Sequence, residues 1–243
     1  MILEGKYIVI TGGTSGIGYQ LVKMLQNSNR VAIIGRNPVK LAKLSKEFPN
    51  IESYQADLAD ISQVETVTDV LADQAHPIDV LINNAAVQYT PTFISNEFNP
   101  TTITEEININ YTSICYLIAG LLPQLNQDSK SVILNINSGL GLVPKTDSAV
   151  YCGCKGALNI FSQSLAYQLE KTQIQVQQAF LPLVETGMTT GRGQGKIPPE
   201  FAAKKIIDGL VSEREINDIG KVKLLRWLIR LMPSLARNIL KGS

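Results

Sequence analysis

A chain of 243 residues with 44% apolar and 18% charged side chains can bury one large core, and its formal net charge of +1 gives a nucleic-acid partner no electrostatic handle. Its three cysteines, Cys115, Cys152 and Cys154, form no CxxC, and its one histidine is His76, so neither a metal site nor a disulfide framework is expected. A reduced, cytoplasmic setting fits this usage. The opening "MILEGKYIVITGG" lacks a basic start followed by a long apolar run, so no signal peptide is expected, and "ICYLIAGLLP" is too short to span a bilayer.

Apolar, β-rich runs recur at 7–10, 31–35, 51–56, 79–83, 131–136 and 174–180, separated by longer segments with helical spacing such as Leu21, Met24, Leu25 and Val64, Val67, Val70, Leu71. Strands alternating with helices predict βαβ units and a single α/β domain built on a doubly wound parallel sheet. The mostly apolar strands suit a sheet covered on both faces.

The first run leads straight into glycines, "YIVITGGTSGIG", and then into an amphipathic helix. Gly12, Gly16 and Gly18 would let the backbone approach a pyrophosphate, with the helix N-terminus supplying free N–H groups; the alternative is a plain tight connection. The second run ends "IIGRNPVKL", without the carboxylate that would select a ribose 2′-hydroxyl. Arg36 and Asn37 stand there instead and would suit a 2′-phosphate, unless Arg36 only caps a surface turn. The preference expected is NADP(H), with NAD(H) as the lesser partner.

"SAVYCGCKGAL" sets Tyr151 and Lys155 four residues apart, hence on one helical face. A neighbouring ammonium favours phenolate, and bringing a tyrosine from about 10 to near neutrality requires about 4 kcal/mol. Chance occurrence of Tyr-x-x-x-Lys is the competing explanation. Between 189 and 201, "TTGRGQGKIPPEF" predicts a mobile loop. Residues 221–243 carry Lys221, Lys223, Arg226, Arg230, Arg237 and Lys241 without an acid, interleaved with Leu224, Trp227, Leu228 and Leu231, and broken by Pro233. Such a basic amphipathic tail could meet an anionic membrane, or fold over a cleft or subunit interface.

"TGGTSGIG", "NNAA" at 83–86, Asn110, Ser138 and "YCGCK", in that order, resemble the short-chain dehydrogenase/reductase family, whose pattern also places a serine thirteen residues before the tyrosine. The likeness runs from about residue 3 to 220, which divides the chain into a dinucleotide-binding domain, 1–220, and the tail, 221–243. "GRN", "NNAAVQ", "LVETGMT" and the closing "GKVKLLRWLIRLMPSLARNIL" resemble the family's DltE-like branch. The resemblance implies a Rossmann-like sheet of about seven strands with helices on both faces. It implies hydride transfer between NADP(H) and a small-molecule carbonyl or alcohol, in a homodimer or homotetramer.

By the same resemblance, Tyr151 is the acid or base and Lys155 lowers its pKa and holds the nicotinamide ribose. Ser138 orients the substrate oxygen and Asn110 fixes a water leading to Lys155, although Asn108 could be mistaken for it. Contacts to the cofactor are implied for Thr14, Ser15 and Ile17 beside the three glycines, for Asp57, Leu58, Asn84 and Ala85, and for Thr186. Asp57 could instead cap the following helix, and Asn83 is expected mainly to brace the central strands. Two departures stand out: Ala86 replaces a glycine, and Leu181-Pro182 replaces the usual Pro-Gly. The competing class is a catalytically idle NADP(H) sensor or a membrane-recruited partner protein.

Overall fold

The computed structural model describes residues 1–74 and 76–242. Each apolar run becomes a strand: β1 Tyr7–Thr11, β2 Arg30–Gly35, β3 Ile51–Gln55, β4 Val80–Asn83, β5 Ser131–Ser138 and β6 Ile174–Leu181. A seventh, β7 Ile216–Asp218, closes one edge. All neighbours are parallel, in the order β3-β2-β1-β4-β5-β6-β7. The order reverses between β1 and β4, where the loops after the strands part and leave a crevice at their C-terminal ends.

Alternation along each strand feeds two cores. Ile8 and Ile10 of β1 face the helices α1 (Gly16–Leu25), α2 (Pro38–Glu47) and α7 (Pro199–Val211), meeting Leu21, Leu41 and Ile206. Tyr7 and Val9 face α3 (Ile61–Asp73), α5 (Ser113–Leu125) and α6 (Ala149–Gln168), meeting Val64, Leu117 and Leu158. With both faces covered, neither can be polar, which is why the strands read as apolar runs.

Where the strand interiors turn polar, they pair sideways. Asn83 Nδ2 donates to Asn135 Oδ1 at 2.8 Å, tying β4 to β5, and Asn137 Nδ2 donates to Gln178 Oε1 at 3.0 Å, tying β5 to β6. Asn83 is thus the brace expected of it. Between α4 (Thr101–Ile107) and α5 the helix widens into a π turn, Asn108–Thr112. After β7 come α8 (Val222–Leu231) and α9 (Pro233–Lys241), which pack on each other with the break at Met232-Pro233. The loop predicted as mobile from 189 ends earlier, because residues 199–201 open α7 and Ile197 pairs with Val184.

Candidate active site

A cleft of about 1340 Å³ opens along the C-terminal ends of β1, β2, β4, β5 and β6. Its floor is the glycine turn. Gly12 has φ +70° and Gly16 φ +54°, conformations an L side chain resists. A Cβ on Gly18 would stand 2.2 Å from the Gly12 oxygen and 2.6 Å from Asn84 Nδ2, so the turn is closed by backbone against backbone. Ser15 is the N-cap of α1 but makes no side-chain cap hydrogen bond, which leaves the first-turn N–H groups open to the cleft that Thr14, Ser15, Gly16, Ile17 and Gly18 line. Gly18→Ala is expected to destabilise the fold by about 1–3 kcal/mol in urea unfolding, since the added methyl meets rigid backbone. An unchanged midpoint would show that the turn yields.

Thr11, quoted above only within its motif, supplies the anchor. Its hydroxyl accepts from the N–H groups of Asn84 and Ala85, both at 3.0 Å, and Asn84 Nδ2 donates back to the Thr11 oxygen at 3.0 Å. Asn84 therefore joins the ends of β1 and β4 while lining the cleft beside Ala85. Ala86 needs no glycine: among described non-glycine residues only Ser148 and Glu213 have positive φ. Leu181 and Pro182 also line the cleft.

At the end of β2, Arg36 is 60% exposed at the rim with Nη1 3.7 Å from Glu105 Oε1, a long, solvated pair worth little. It caps no helix; Asn37 does, accepting from the Lys40 N–H at 3.0 Å. Asn37 lines the cleft, yet its oxygen is committed, and the second cation there is Lys40, which the sequence reading passed over. Asp57 is not a helix cap either. Its Oδ1 accepts from the Ala59 N–H at 3.0 Å while Asp60 caps α3, leaving Asp57 and Leu58 at the cleft wall. Thr186 caps a short 3-10 turn, Gly187–Thr189, and its Cγ2 would lie 3.1 Å from a Cβ on Gly16, so the loop after β6 touches the glycine turn.

β5 carries Ser138 to the cleft, and α6 presents Tyr151 and Lys155 on one face, both buried. Ser138 and Tyr151 line the cleft together. Lys155 Nζ donates to the Ile136 oxygen at 2.8 Å and lies 5.8 Å from the Tyr151 ring centroid. The electrostatics differ from the expectation. Burial pushes the phenol up to about 12, with the neighbouring Ser138 pulling only partly against it. Burial pushes Lys155 down to about 8. Desolvation outweighs mutual attraction because the ammonium is directed at a main-chain carbonyl rather than at the phenolic oxygen.

Asn110 is wholly buried in the π turn and clamps Val87, accepting from its N–H at 3.1 Å and donating to its oxygen at 2.8 Å. Both ends of its amide engage Val87, whereas Asn108 points elsewhere, to the Ala59 oxygen at 2.8 Å. One turn earlier, buried Glu106 accepts from the Tyr89 N–H at 3.1 Å, and burial raises its carboxyl to about 7. Asn110 and Glu106 together hold the segment after β4, whose Gln88 donates to Ser148 Oγ at 3.0 Å at the start of α6. Nothing in the local pattern of "TEEININ" marks Glu106 as buried. The tail completes the cleft: Val222, Leu225, Leu228 and Leu240 form an apolar wall.

Comparison with known proteins agrees with this layout. The family model described as short chain dehydrogenase matches residues 6–196. The oxidoreductase DltE of Bacillus subtilis (strain 168) is 34% identical over 236 residues, covering 93% of this chain and 92% of its own. The very-long-chain 3-oxoacyl-CoA reductase of Anas platyrhynchos is 29% identical over 241 residues, covering 95% and 77%. A short chain dehydrogenase from Burkholderia cenocepacia J2315, solved in complex with NADP, superposes with a TM-score of 0.88 at 20% identity over 99% of both chains. With the motifs in place on a seven-stranded parallel sheet, the chain belongs to the short-chain dehydrogenase/reductase family, in its DltE-like branch.

Proposed function

We propose that the chain is an NADP(H)-preferring carbonyl reductase or alcohol dehydrogenase acting on the CH–OH or C=O group of a hydrophobic small molecule. The observation that carries this reading is the convergence of Ser138 and Tyr151 on one cleft, with Lys155 buried one helical turn along. The cleft fits a dinucleotide: the tight glycine turn that lines it and the open N-terminus of α1 suit a diphosphate. Arg36 and Lys40 suit a 2′-phosphate, Asp57 and Leu58 the adenine, and Thr186 the nicotinamide side. When bound, the nicotinamide supplies the hydride.

The protein's own groups do the rest. Ser138 holds the substrate oxygen while charge builds there. Tyr151, kept protonated by its burial, gives up its phenolic proton to that oxygen. Lys155, protonated below about pH 8, lies near enough to favour the phenolate left behind. Asn110 and Glu106 fix the wall segment facing α6. The apolar wall formed by Leu225, Leu228 and Leu240 excludes water and selects a hydrophobic substrate.

The test is a panel of ketones and aldehydes of increasing size, followed through NADPH absorbance. Tight NADPH binding with no turnover on any member would favour the idle sensor instead. Arg36→Ala is expected to weaken NADPH about tenfold and NADH by less than about threefold, because a charge-assisted contact from an exposed arginine is worth about 1–2 kcal/mol. Calorimetric titration of both nucleotides checks this, and equal losses would remove the NADP(H) preference.

A further inference from the structure

The two tail helices are built in three stripes. On α8, Val222, Leu225 and Ile229 share the stripe that faces the protein. Leu224, Trp227 and Leu231, spaced i, i+3, i+7, form a second stripe, and Trp227 is 65% exposed. Lys223, Arg226 and Arg230, with the same spacing, form a third beside it. The pattern repeats on α9: Ala236 and Leu240 inward, Leu235 and Ile239 exposed, Arg237 and Lys241 alongside. Leu224 and Ile239, one from each exposed stripe, also line the cleft, so the apolar face is continuous with the cleft mouth.

Charge follows the same division. Of the six cations in 221–243, Arg226 is the one with an ion pair among the described residues, a two-point contact with Asp218 at 2.5 and 2.8 Å. Lys221, Lys223, Arg230, Arg237 and Lys241 are exposed. The chain's 22 Lys and Arg against 21 Asp and Glu, less these six cations, leave residues 1–220 at −5 beside a tail at +6. An exposed apolar stripe flanked by cations, on the basic end of an acidic body, is complementary to a surface that is both oily and negative.

We infer that α8 and α9 dock the protein on an anionic lipid surface, with Trp227 and Leu231 entering the interface, the flanking cations meeting headgroup phosphates, and the cleft mouth turned to the bilayer. Trp227 suits the interfacial depth because its ring is amphipathic. This stands independently of the reaction assigned to the cleft, since lipid binding is read without turnover.

The test is co-sedimentation of the full chain with vesicles of phosphatidylcholine containing phosphatidylserine, against vesicles of phosphatidylcholine alone. Binding about tenfold or more tighter to the anionic vesicles, and weakened by salt, is expected. The pair Trp227→Ser with Leu231→Ser should lower that affinity about tenfold, and the pair Lys223→Glu with Arg230→Glu should abolish the preference for phosphatidylserine. None of these four residues lines the cleft, and thermal unfolding of each variant confirms that it folds. Failure to pellet with anionic vesicles, or equal binding to both compositions, overturns the inference. So does a dimer that Trp227→Ser breaks in the absence of lipid binding, which would assign the face to a second copy of the chain.

Discussion

Tyr151→Phe is expected to lower kcat for carbonyl reduction by about 10²–10⁴-fold while NADPH affinity changes less than about threefold. The phenylalanine ring fills the same buried space, so the loss is confined to one oxygen and its proton. Ser138 is not stranded by the change, since its oxygen still accepts from the Leu140 N–H at 3.1 Å and its hydroxyl can turn to the substrate. Single-turnover absorbance separates the chemical step from binding, and calorimetry gives the affinity. Residual turnover within tenfold of the parent would mean that another group delivers the proton. Because burial holds the phenol near 12, alcohol oxidation, which needs the deprotonated form, should rise with pH across the neutral range.

Lys155→Met should remove most turnover and yet stabilise the cofactor-free protein at pH 7 by about 1–2 kcal/mol. In the folded chain Lys155 titrates at about 8, against 10.5 for an ordinary lysine. Below pH 8 both folded and unfolded chains carry the proton, and the folded state bears the whole desolvation penalty. Between pH 8 and 10.5 the folded lysine is already neutral while the unfolded one is still charged, so parental stability climbs with pH. The drop from 10.5 to about 8 corresponds to about 3 kcal/mol, from which the lost hydrogen bond to the Ile136 oxygen subtracts about 1 kcal/mol. Urea unfolding at pH 7 and near pH 10 checks the sign. The variant's advantage should vanish or reverse at the higher pH, and a variant less stable at pH 7 would show that the ammonium is well solvated.

Both results concern groups that were visible in the sequence but whose energetics were not. Tyr151 and Lys155 stood out by spacing alone, yet the tyrosine's pKa moves opposite to the expectation drawn from that spacing. Spacing records which side chains share a helical face; it does not record what water each has lost. Glu106 illustrates the same gap, since its neighbours in "TEEININ" are polar and only the packing of α4 against α6 buries it. β7 was missing from the sequence runs because a three-residue edge strand with an exposed Ile216 has no apolar period to detect.

The amino-acid order by itself determined six of the parallel strands, the glycine turn and the helical face shared by Tyr151 and Lys155. Those features depend on local rules: strands covered on both sides must be apolar, a backbone pressed against backbone admits only hydrogen at Cα, and residues four apart on a helix coincide. Tertiary structure alone decided that Asn110 clamps Val87, that Lys155 is held by Ile136, and that the tail walls the cleft instead of extending from it. Each is a contact between segments distant in the chain, and desolvation is a property of the surroundings, which no stretch of sequence contains.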